Sequence, residues 1–598
     1  MRQCRAGMGI GIVRMRRSSM NRRTFLKRIG WGAAGAAVAG CKSIPSGESK
    51  ADRPNVILVL TDDQGYGDFS CHGNPVLRTP NLDRLHAQSI RLTDFHVAPM
   101  CTPTRGQLMS GLDALRNRAR HVCGGLTMLR TDVPTMADIF QAGGYRTGLF
   151  GKWHLGDSYP YLPQDRGFQE VVHHKSWGIT SAADRWGNDY FDDLYYHNGK
   201  LEPYEGYCTD VWFREAMKWI KTRADGSEPF FCYLPTNAPH GPLFVPPQYA
   251  EPYKKPGVPA DFFGMIANLD ENIGRLMAML DETGLADNTI LIFMTDNGGT
   301  AGVKTFNAGM RDGKTSLYDG GHRVPCFIRW PAGKLRAAGD IGELTTCQDL
   351  LPTLVDLCGL KVPVGIRFDG TSLAGLLRDS QTHLSNRMVV VQYHIDIPKW
   401  NATVMWKKWR LVKGEELYDI AADPGQKTNV ADKYPDVVQA MREHYEKWWA
   451  DVEPIAKEPC YVQIGSEQEN PVRLTCADWY GVYADNFGHL QRKVNSYWNL
   501  LVEREGEYEF SLSRWPPESG AAMDATATHP TGKGKAFPVA KARMKIGEFD
   551  ESKPVASGDK SATFTIRLKP GRTRLQTWLY DSSGNELCGA FYVMATRG

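Results

Sequence analysis

NVILVLTDDQG, residues Asn55–Gly65, is the strongest indication of fold in this chain of 598 residues, and TILIFMTDNGG at Thr289–Gly299 repeats its pattern. Each begins with an apolar run and continues into acidic and amide residues. Short continuous apolar runs are typical of strands buried on both faces of a sheet. Similar runs at Tyr145–Phe150 and Pro229–Leu234, with helix-like segments between the runs, predict an α/β domain whose large, mostly parallel sheet is sandwiched by helices.

Polar residues with catalytic or metal-binding side chains follow each of these four runs. In open α/β sheets, sites form just beyond the carboxyl ends of the strands. The strand ends should therefore bring the following residues to one rim: Asp62, Asp63, Lys152, His154, His240, Asp296 and Asn297. The DD and DN pairs taken singly are equally typical of strand-end turns, but both pairs in one domain favour a site.

The segment Cys101–Gly111, CTPTRGQLMSG, adds a cysteine that stands two residues before a proline and four before Arg105. Taken alone, this C-x-P-x-R pattern is equally typical of a buried cysteine that precedes a helix. A helix beginning near Thr104 would point its positive end at an anion. Together with the polar rim, the segment favours a catalytic site.

Jointly these motifs resemble the formylglycine-dependent (type I) sulfatase family of the alkaline-phosphatase-like superfamily. The matching segments include TDDQGYGD at Thr61–Asp68, GHRVPCFIRWPAG at Gly321–Gly333 and ELYDIAADP at Glu416–Pro424. The resemblance covers about residues 53–450. It implies a catalytic α/β domain at 53–370 and a smaller α+β subdomain with an antiparallel sheet at 371–455.

The resemblance also implies a metal site and a modified cysteine. Asp62, Asp63, Asp296 and Asn297, together with Cys101, would bind one divalent metal. Hard oxygen donors favour Ca²⁺, with Mg²⁺ as the alternative, and disfavour zinc. A formylglycine-generating enzyme would oxidise Cys101 to an aldehyde, and one hydroxyl of the hydrated aldehyde would attack sulfur while the other later expels sulfate.

Five further residues take catalytic roles by the same resemblance. Lys152 and Lys314 would bind the sulfate, because cations must surround its spread charge. His154 would take a proton from the diol, and His240 would protonate the leaving alcohol. Arg105 would hold the diol and support the metal-binding acids. Asp319 and His322 depart from the commoner residues of the family without changing this core.

The substrate is expected to be a sulfated carbohydrate, a polysaccharide or oligosaccharide. The segment 173–196 is rich in aromatic, His, Asp and Asn side chains, which contact sugar rings and hydroxyls, although an ordinary surface loop has the same composition. The expected sulfated sugar is a 4-sulfated galactose or N-acetylgalactosamine. The predicted pocket residues are His173, Trp177, Arg185, Trp186, Asn188, Asp189, His394 and Trp400.

The C-terminal part, residues 456–598, has short alternating strands and Gly, Pro and Ser turns that predict a separate β-sandwich domain. Its aromatic residues either bind carbohydrate or pack in the core: Trp479, Tyr480, Trp498, Trp515 and Trp578. Cys460 and Cys476 are the nearest plausible disulfide pair, and free buried thiols are the equal alternative.

The first 41 residues indicate export. They contain nine Lys and Arg and no acidic residue, so a formal net charge of +4 for the whole chain leaves −5 on residues 42–598; this excludes an electrostatic case for nucleic-acid binding. The Arg22-Arg23 pair predicts twin-arginine export. VAGC ending at Cys41 resembles a lipobox, with cleavage without a lipid as the alternative. We expect a periplasmic or cell-surface protein, attached to the membrane only through a lipid at Cys41.

Two other functions remain open at this point. A phosphoesterase would keep the fold, but such relatives place Ser or Thr at the nucleophile and bind two metals. A glycan-binding surface lipoprotein without turnover would have no reason to retain Lys152, His154, His240 and Lys314 together. The sulfatase interpretation is favoured over both.

Overall fold

A computed structural model describes residues 53–224 and 228–598. The predicted export signal and lipobox, residues 1–41, lie outside the described residues. The described residues belong to one compact unit, in which the parts described below contact each other. Within the described residues, no helix has both the length and the apolar character needed to cross a bilayer.

The centre of the molecule is a ten-stranded sheet with the strand order β11-β2-β10-β9-β1-β8-β4-β5-β6-β7. Strands β9, β1, β8, β4 and β5 run parallel, and antiparallel strands extend the sheet at both edges. The predicted α/β fold with a large parallel sheet is therefore confirmed. The strands are β1 Asn55–Thr61, β2 Ile90–Leu92, β3 Phe95–His96, β4 Arg146–Lys152, β5 Glu170–His174, β6 Leu194–His197, β7 Lys200–Pro203, β8 Phe230–Pro235, β9 Thr289–Thr295, β10 Cys326–Arg329, β11 Gly339–Ile341 and β12 Thr345–Thr346, the last pairing with β3.

Helices cover both faces of this sheet because successive residues of its central strands face opposite sides. In β1, Val56, Leu58 and Leu60 join one hydrophobic core, whereas Ile57 and Val59 join the other. The helices of this part are α1 Pro80–Ala87, α2 Cys101–Ser110, α3 Ala114–Asn117, α4 Met136–Ala142, α5 Cys208–Lys221, α6 Pro247–Ala250, α7 Ala260–Glu282, α8 Asp319–His322, α9 Leu350–Leu357 and α10 Ala374–Leu377.

A four-stranded antiparallel sheet and one long helix follow. The strands are β13 Val389–Gln392, β14 Ala402–Trp406, β15 Trp409–Val412 and β16 Glu416–Asp419, and the helix is α11 Pro435–Ala456. Met441, Tyr445 and Trp449 of α11 pack on Val404 and Leu411 of the sheet. This spacing puts one apolar face of the helix against the strands.

The remaining residues form two packed, mostly antiparallel sheets, as predicted for a β-sandwich; only β17 and β19 pair in parallel. The six-stranded sheet has the order β17-β19-β26-β23-β24 with β27 beside β26, and the four-stranded sheet has the order β18-β28-β20-β25. The strands are β17 Val462–Ile464, β18 Val472–Thr475, β19 Tyr497–Val502, β20 Gly506–Ser513, β21 Thr528–His529, β22 Gly532–Lys533, β23 Lys541–Ile546, β24 Phe549–Pro554, β25 Ala562–Leu568, β26 Gly571–Tyr580, β27 Glu586–Cys588 and β28 Tyr592–Arg597. The division into separate domains at residues 370 and 455 stays a prediction.

The core between these sheets decides two questions that the sequence left open: the role of the tryptophans and the state of Cys460 and Cys476. Trp479, Trp498 and Trp515 are almost fully buried in it, so their aromatic rings serve packing. Cys460 and Cys476 are both buried free thiols; they do not form the disulfide considered from the sequence.

Candidate active site

The predicted strand-end residues meet at one edge of the sheet because their strands are neighbours. Asp62 directly follows β1, which lies between β8 and β9. Asp296 directly follows β9, and Lys152 is the last residue of β4, which pairs with β8. His240 lies in the loop after β8. The topology thus delivers these side chains to one rim, as expected for an α/β sheet.

Cys101 is the first residue of α2 and is buried at this rim. Pro103 fits the first turn of the helix, where a missing N–H costs nothing. Gly111 ends the helix with φ 67°, a left-handed conformation that glycine adopts without strain. The thiol therefore sits at the positive end of a short helix, facing the acids.

The acids and Cys101 form a compact buried cluster that fits a divalent cation. One ligand atom each from Asp62, Cys101 and Asp296 lies within 4.8 Å of the others. Among the described residues, Asp62 Oδ1 and Asn297 Oδ1 are buried oxygens without a hydrogen-bond partner. Buried acceptors of this kind need a partner, and hard cations take carboxylate and amide oxygens.

Arg105 and the protein interior set the ionisation of these acids. The Arg105 guanidinium donates to Asp296 Oδ2 at 2.8 Å and lies 3.5 Å from Asp62 Oδ2, with all three side chains fully buried. Burial raises the pKa of Asp296 to about 7, and the nearby Asp62 charge adds to the rise. Burial opposes ionisation of Asp62 as well, but Lys152 and its neighbouring cations hold that pKa well below its usual range.

Two lysines bring positive charge to the cluster. The Lys152 ammonium forms a buried ion pair with Asp62. The Lys314 ammonium lies 2.5 Å from Asp63 Oδ1, and Asp63 raises the Lys314 pKa against the effect of burial. These two ammonium groups supply the positive charge that binding of a sulfate requires.

A buried network of ion pairs and hydrogen bonds anchors the segment that follows Lys314. The Arg410 guanidinium donates to Asp319 Oδ1 at 3.1 Å and to Asp94 Oδ1 at 2.5 Å. His96 Nδ1 lies 2.9 Å from His322 Nδ1 and its Nε2 lies 2.9 Å from Asp94 Oδ1. Asp319 and His322, where this chain departs from the commoner family residues, thus have structural partners in this network.

His154 is oriented as a neutral base towards Cys101. Its Nε2 donates to the Val122 carbonyl at 2.9 Å, because a carbonyl can only accept, and its Nδ1 lies 3.6 Å from Cys101 Sγ. The Thr102 hydroxyl lies 3.0 Å from the same Nδ1. Burial and the Lys152 charge hold the His154 pKa well below its usual range. His154 has φ 57°, a strained backbone conformation of the kind found at active sites.

His240 lies at the opening of the site and is partly exposed. Its Nδ1 donates to the Gly241 carbonyl at 2.7 Å, and its Nε2 lies 3.7 Å from Asp63 Oδ2. Its ring packs against Trp177, with 5.0 Å between the ring centroids. Burial lowers the His240 pKa, and Asp63 partly offsets that effect.

Of the predicted pocket residues, Trp177 contacts His240, which is predicted to be catalytic, whereas four others make contacts within the protein. His173 is buried, and its Nδ1 donates a hydrogen bond to the His174 carbonyl. Asn188 is buried and donates to Asp184 and to the Leu194 carbonyl. Arg185 pairs with Glu518 of the C-terminal part, and the Trp186 indole donates to the Thr528 carbonyl there. The contacts of Arg185 and Trp186 join this segment to the C-terminal part, whereas those of His173 and Asn188 lie within the segment.

The other three predicted pocket residues differ in exposure. Trp400 stacks on Tyr445 of α11, with 3.9 Å between centroids, so its ring belongs to the smaller core. Asp189 is exposed and caps its own loop by accepting from the Phe191 N–H. His394 is exposed and accepts from the Asp396 N–H at its Nδ1.

Sequence reasoning missed an aromatic group beside Cys101 that comes from three parts of the chain. Val122 and Cys123 pack on Cys101, and Tyr393 packs on the same cluster. Tyr393 stacks on His121 at 5.2 Å, and Tyr483 of the C-terminal part meets His121 edge-on at 5.7 Å. The Tyr483 side chain is 47% exposed. No local pattern predicted this group, because it exists only after the three parts pack together.

The C-terminal part forms one side of the opening. The Gly124 N–H donates to the Ala477 carbonyl at 2.8 Å, and the Gly481 N–H donates back to the Gly124 carbonyl at 3.1 Å. On the other side, the Trp177 indole donates to the Asp485 carbonyl at 3.1 Å. The loop that carries Tyr483 is therefore attached both to the Cys101 side and to the His240 side of the site.

The fold thus places a buried cysteine, acids and lysines at one rim of the sheet. The chain belongs to the sulfatase family: residues 54–360 match the Sulfatase family model, and residues 309–450 match the model for the C-terminal region of N-sulphoglucosamine sulphohydrolase. It is an enzyme that hydrolyses sulfuric esters.

Individual relatives agree with this assignment. Human arylsulfatase A is 28% identical over 474 residues, which cover 67% of this chain and 89% of the relative. Human N-acetylgalactosamine-6-sulfatase is 29% identical over 347 residues, covering 54% and 65%. The crystal structure of Ps i-CgsB in complex with k-i-k-neocarrahexaose superposes with a TM-score of 0.61 at 27% identity, covering 66% of this chain and 92% of that one.

Proposed function

We propose that this enzyme removes sulfate from sulfated carbohydrates, using an aldehyde made from Cys101 and a bound divalent metal. One observation carries the proposal. Cys101, Asp62 and Asp296 converge within 4.8 Å, and the buried cysteine is faced by a neutral histidine on one side and by charged lysines on the other.

Cys101 is the proposed nucleophile precursor. Burial raises the pKa of its thiol, although Lys152 and Lys314 act in the opposite direction, and a protonated thiol is a poor nucleophile. Oxidation by a formylglycine-generating enzyme would give an aldehyde whose hydrate supplies one hydroxyl for attack on sulfur and a second for release of sulfate.

Asp62, Asp63, Asp296 and Asn297 are the proposed metal ligands, with the modified Cys101 side chain beside them. Asp62 Oδ1 and Asn297 Oδ1 are the unpartnered buried oxygens that support this choice. An all-oxygen set favours Ca²⁺, with Mg²⁺ as the alternative. The ion would act as a Lewis acid that stabilises negative charge on the reacting oxygens.

His154 is the proposed base for the release step. Its Nε2 proton is committed to the Val122 carbonyl, so its Nδ1 lone pair faces the side chain at position 101. Its lowered pKa keeps the ring neutral and able to accept a proton. The Thr102 hydroxyl also contacts the ring, 3.0 Å from Nδ1 and 3.1 Å from Nε2.

Lys152 and Lys314 are the proposed sulfate-binding residues, and His240 is the proposed acid for the leaving alcohol. The two ammonium groups would bind non-bridging sulfate oxygens, and Arg105 favours ionisation of Asp62 and Asp296, which it contacts. His240 lies on the open side, where the alcohol leaves, and its Nε2 would donate the proton to that alcohol.

The aromatic surroundings support a carbohydrate as the alcohol. Trp177 flanks His240, while His121, Tyr393 and the exposed Tyr483 flank Cys101. Aromatic faces with polar edges are suited to sugar rings and hydroxyls. Relatives whose names or titles contain N-acetylgalactosamine and neocarrahexaose support the same class. A 4-sulfated galactose or N-acetylgalactosamine remains the proposed residue.

The test is sulfate release from a panel of position-defined sulfated oligosaccharides by the full chain co-expressed with a formylglycine-generating enzyme. Cys101→Ala prepared in parallel is the matched control, and it should be folded but inactive. Release from one sugar and position supports the proposal. Release by Cys101→Ala, or turnover of aryl sulfates without any carbohydrate, would contradict it.

Export is proposed with this function, because polymeric glycans are met outside the cytoplasm. The proposal rests on Arg22-Arg23 and on the VAGC sequence ending at Cys41. Twin-arginine transport would deliver the enzyme to the periplasm or the cell surface. Mass spectrometry of the protein from its native membrane fraction tests whether Cys41 carries a lipid.

A further inference from the structure

The outward face of the six-stranded C-terminal sheet carries a row of cations. Strand alternation turns Ala542, Met544, Leu575 and Leu579 into the core. Their neighbours on β23 and β26 face away from that core and are partly or fully exposed. We call the outward group the basic–aromatic face; it consists of Lys541, Arg543, Lys545, Arg572 and Arg574 with Tyr461, Tyr497, Trp578 and Tyr580.

Four of the five cations lie over aromatic rings of the same face. Arg543 lies 4.6 Å from the Trp578 ring, to which its strand position is paired. The other distances to ring centroids are 4.5 Å for Lys541 over Tyr580, 4.7 Å for Arg572 over Tyr461 and 4.7 Å for Arg574 over Tyr497. These contacts hold the long side chains in place, so less conformational entropy is lost when they bind a ligand.

The face is poor in negative charge. Asp550 pairs with Arg543 at 2.6 Å and lies 3.7 Å from Lys545. Among the described residues, no carboxylate forms an ion pair with Arg572 or Arg574. Because residues 42–598 carry a net charge of −5, this concentration of cations is a local feature and not an average one.

A surface cavity lies on the part of the face that carries Arg572 and Arg574, which form no ion pair among the described residues. It has a volume of about 480 Å³ and is lined by Tyr461, Tyr497, Asn499, Lys545, Gly547, Arg572, Thr573, Arg574 and Gln576. No acidic residue lines it. The cavity therefore offers two arginine forks, a lysine, two amides and two phenols to a ligand.

We propose that the basic–aromatic face is a second binding site, for a sulfated polysaccharide. Arginine forks bind the oxygens of tetrahedral oxyanions bidentately, and the amides suit sugar hydroxyls. The cations extend over the neighbouring strands β26 and β23 and do not converge on one point, which suits a chain of sulfates better than a single anion.

The choice of a sulfated polysaccharide as the ligand rests on the proposed function. The evidence that the face could bind an anionic polymer does not depend on that function. None of the residues that line the cavity belongs to the active site described above. A polymer held on the face would raise the local concentration of sulfate esters near the active site, because the second contact becomes intramolecular.

The experiment measures binding of dextran sulfate, with uncharged dextran as the control, to the full chain carrying Cys101→Ala. This background prevents turnover, and any binding at the active-site lysines is common to all variants. Arg572→Ala/Arg574→Ala is compared with Arg504→Ala/Arg567→Ala, which removes two exposed arginines that pair with Glu467 and Glu505 elsewhere in the C-terminal part. We expect the first pair to raise the Kd at least about tenfold and the second to change it less than about twofold.

Equal Kd values for the two double variants would overturn the proposal. So would equally tight binding of duplex DNA or of uncharged dextran by the parent protein, since the site would then not be selective for a sulfated polymer. In the active enzyme, Arg572→Ala/Arg574→Ala should leave turnover of 4-nitrophenyl sulfate unchanged. Retained binding of dextran sulfate without turnover of any carbohydrate would contradict the proposed function and support this site.

Discussion

His240→Ala is the substitution that separates protonation of the leaving alcohol from the attack on sulfur. His240 Nε2 faces the open side of the site, 3.7 Å from Asp63 Oδ2, and its Nδ1 is held by the Gly241 carbonyl. A sugar alcohol is a poor leaving group and needs a proton as it departs, whereas nitrophenolate does not. General acid catalysis is worth about 10²–10⁴-fold, so kcat/KM should fall by about that factor on a carbohydrate sulfate and by less than about tenfold on 4-nitrophenyl sulfate.

The assay compares kcat/KM for both substrates in the parent enzyme, in His240→Ala and in His383→Ala. His383 is an exposed histidine whose Nδ1 lies 2.7 Å from Glu343 Oε1 and which belongs to no predicted site, so its replacement should change both values little. In the parent enzyme, kcat/KM on the carbohydrate sulfate should fall at high pH as His240 loses its proton, and this fall should be absent in His240→Ala. Equal losses on the two substrates would refute the role of His240 as the acid.

Three other predictions test separate features. Removal of divalent metal with EDTA should abolish sulfate release and Ca²⁺ should restore it better than Zn²⁺; full activity in protein shown by elemental analysis to be metal-free would contradict the proposed ligands. Tyr483→Ala should lower kcat/KM on sulfated oligosaccharides about three- to tenfold, through loss of an aromatic contact, and should hardly change kcat/KM on 4-nitrophenyl sulfate. Tyr434→Ala, at another exposed tyrosine, is the control. An equal effect of the two variants would exclude a contact between Tyr483 and the substrate. Burial raises the pKa of Asp184 to about 8, above its unfolded value, so its contribution to stability is complete below about pH 4 and is lost as the pH rises towards 8. Asp184→Asn should therefore gain on the order of 3 kcal/mol relative to the parent between pH 5 and pH 8, measured by urea unfolding, and a pH-independent difference would contradict the assignment.

Sequence patterns predicted the centre of the molecule well because its chemistry follows strand ends. Asp62 and Asp296 each come directly after a buried apolar run, and the parallel order of β1 and β9 brings them together. The sequence cannot show that Arg105 lies between both carboxylates, or that the Val122 carbonyl selects the tautomer of His154. These details depend on side-chain packing.

The outer parts of the site were predicted less well because composition does not distinguish a pocket wall from an interface. Trp186 and Trp400 were plausible sugar contacts in sequence, yet the first packs on the C-terminal part and the second on Tyr445. Tyr483 had no distinguishing local pattern, although it lies beside His121 in the structure. Long-range packing decides which aromatic rings face the solvent.

The most direct test of the central claim is turnover as a function of the aldehyde content at position 101. Batches of the full chain with different extents of co-expressed formylglycine-generating enzyme would be assayed for sulfate release, and the Cys101 peptide would be quantified by mass spectrometry. The account predicts that turnover rises in proportion to the aldehyde fraction and extrapolates to zero without it. Turnover that is independent of the aldehyde fraction would contradict the account.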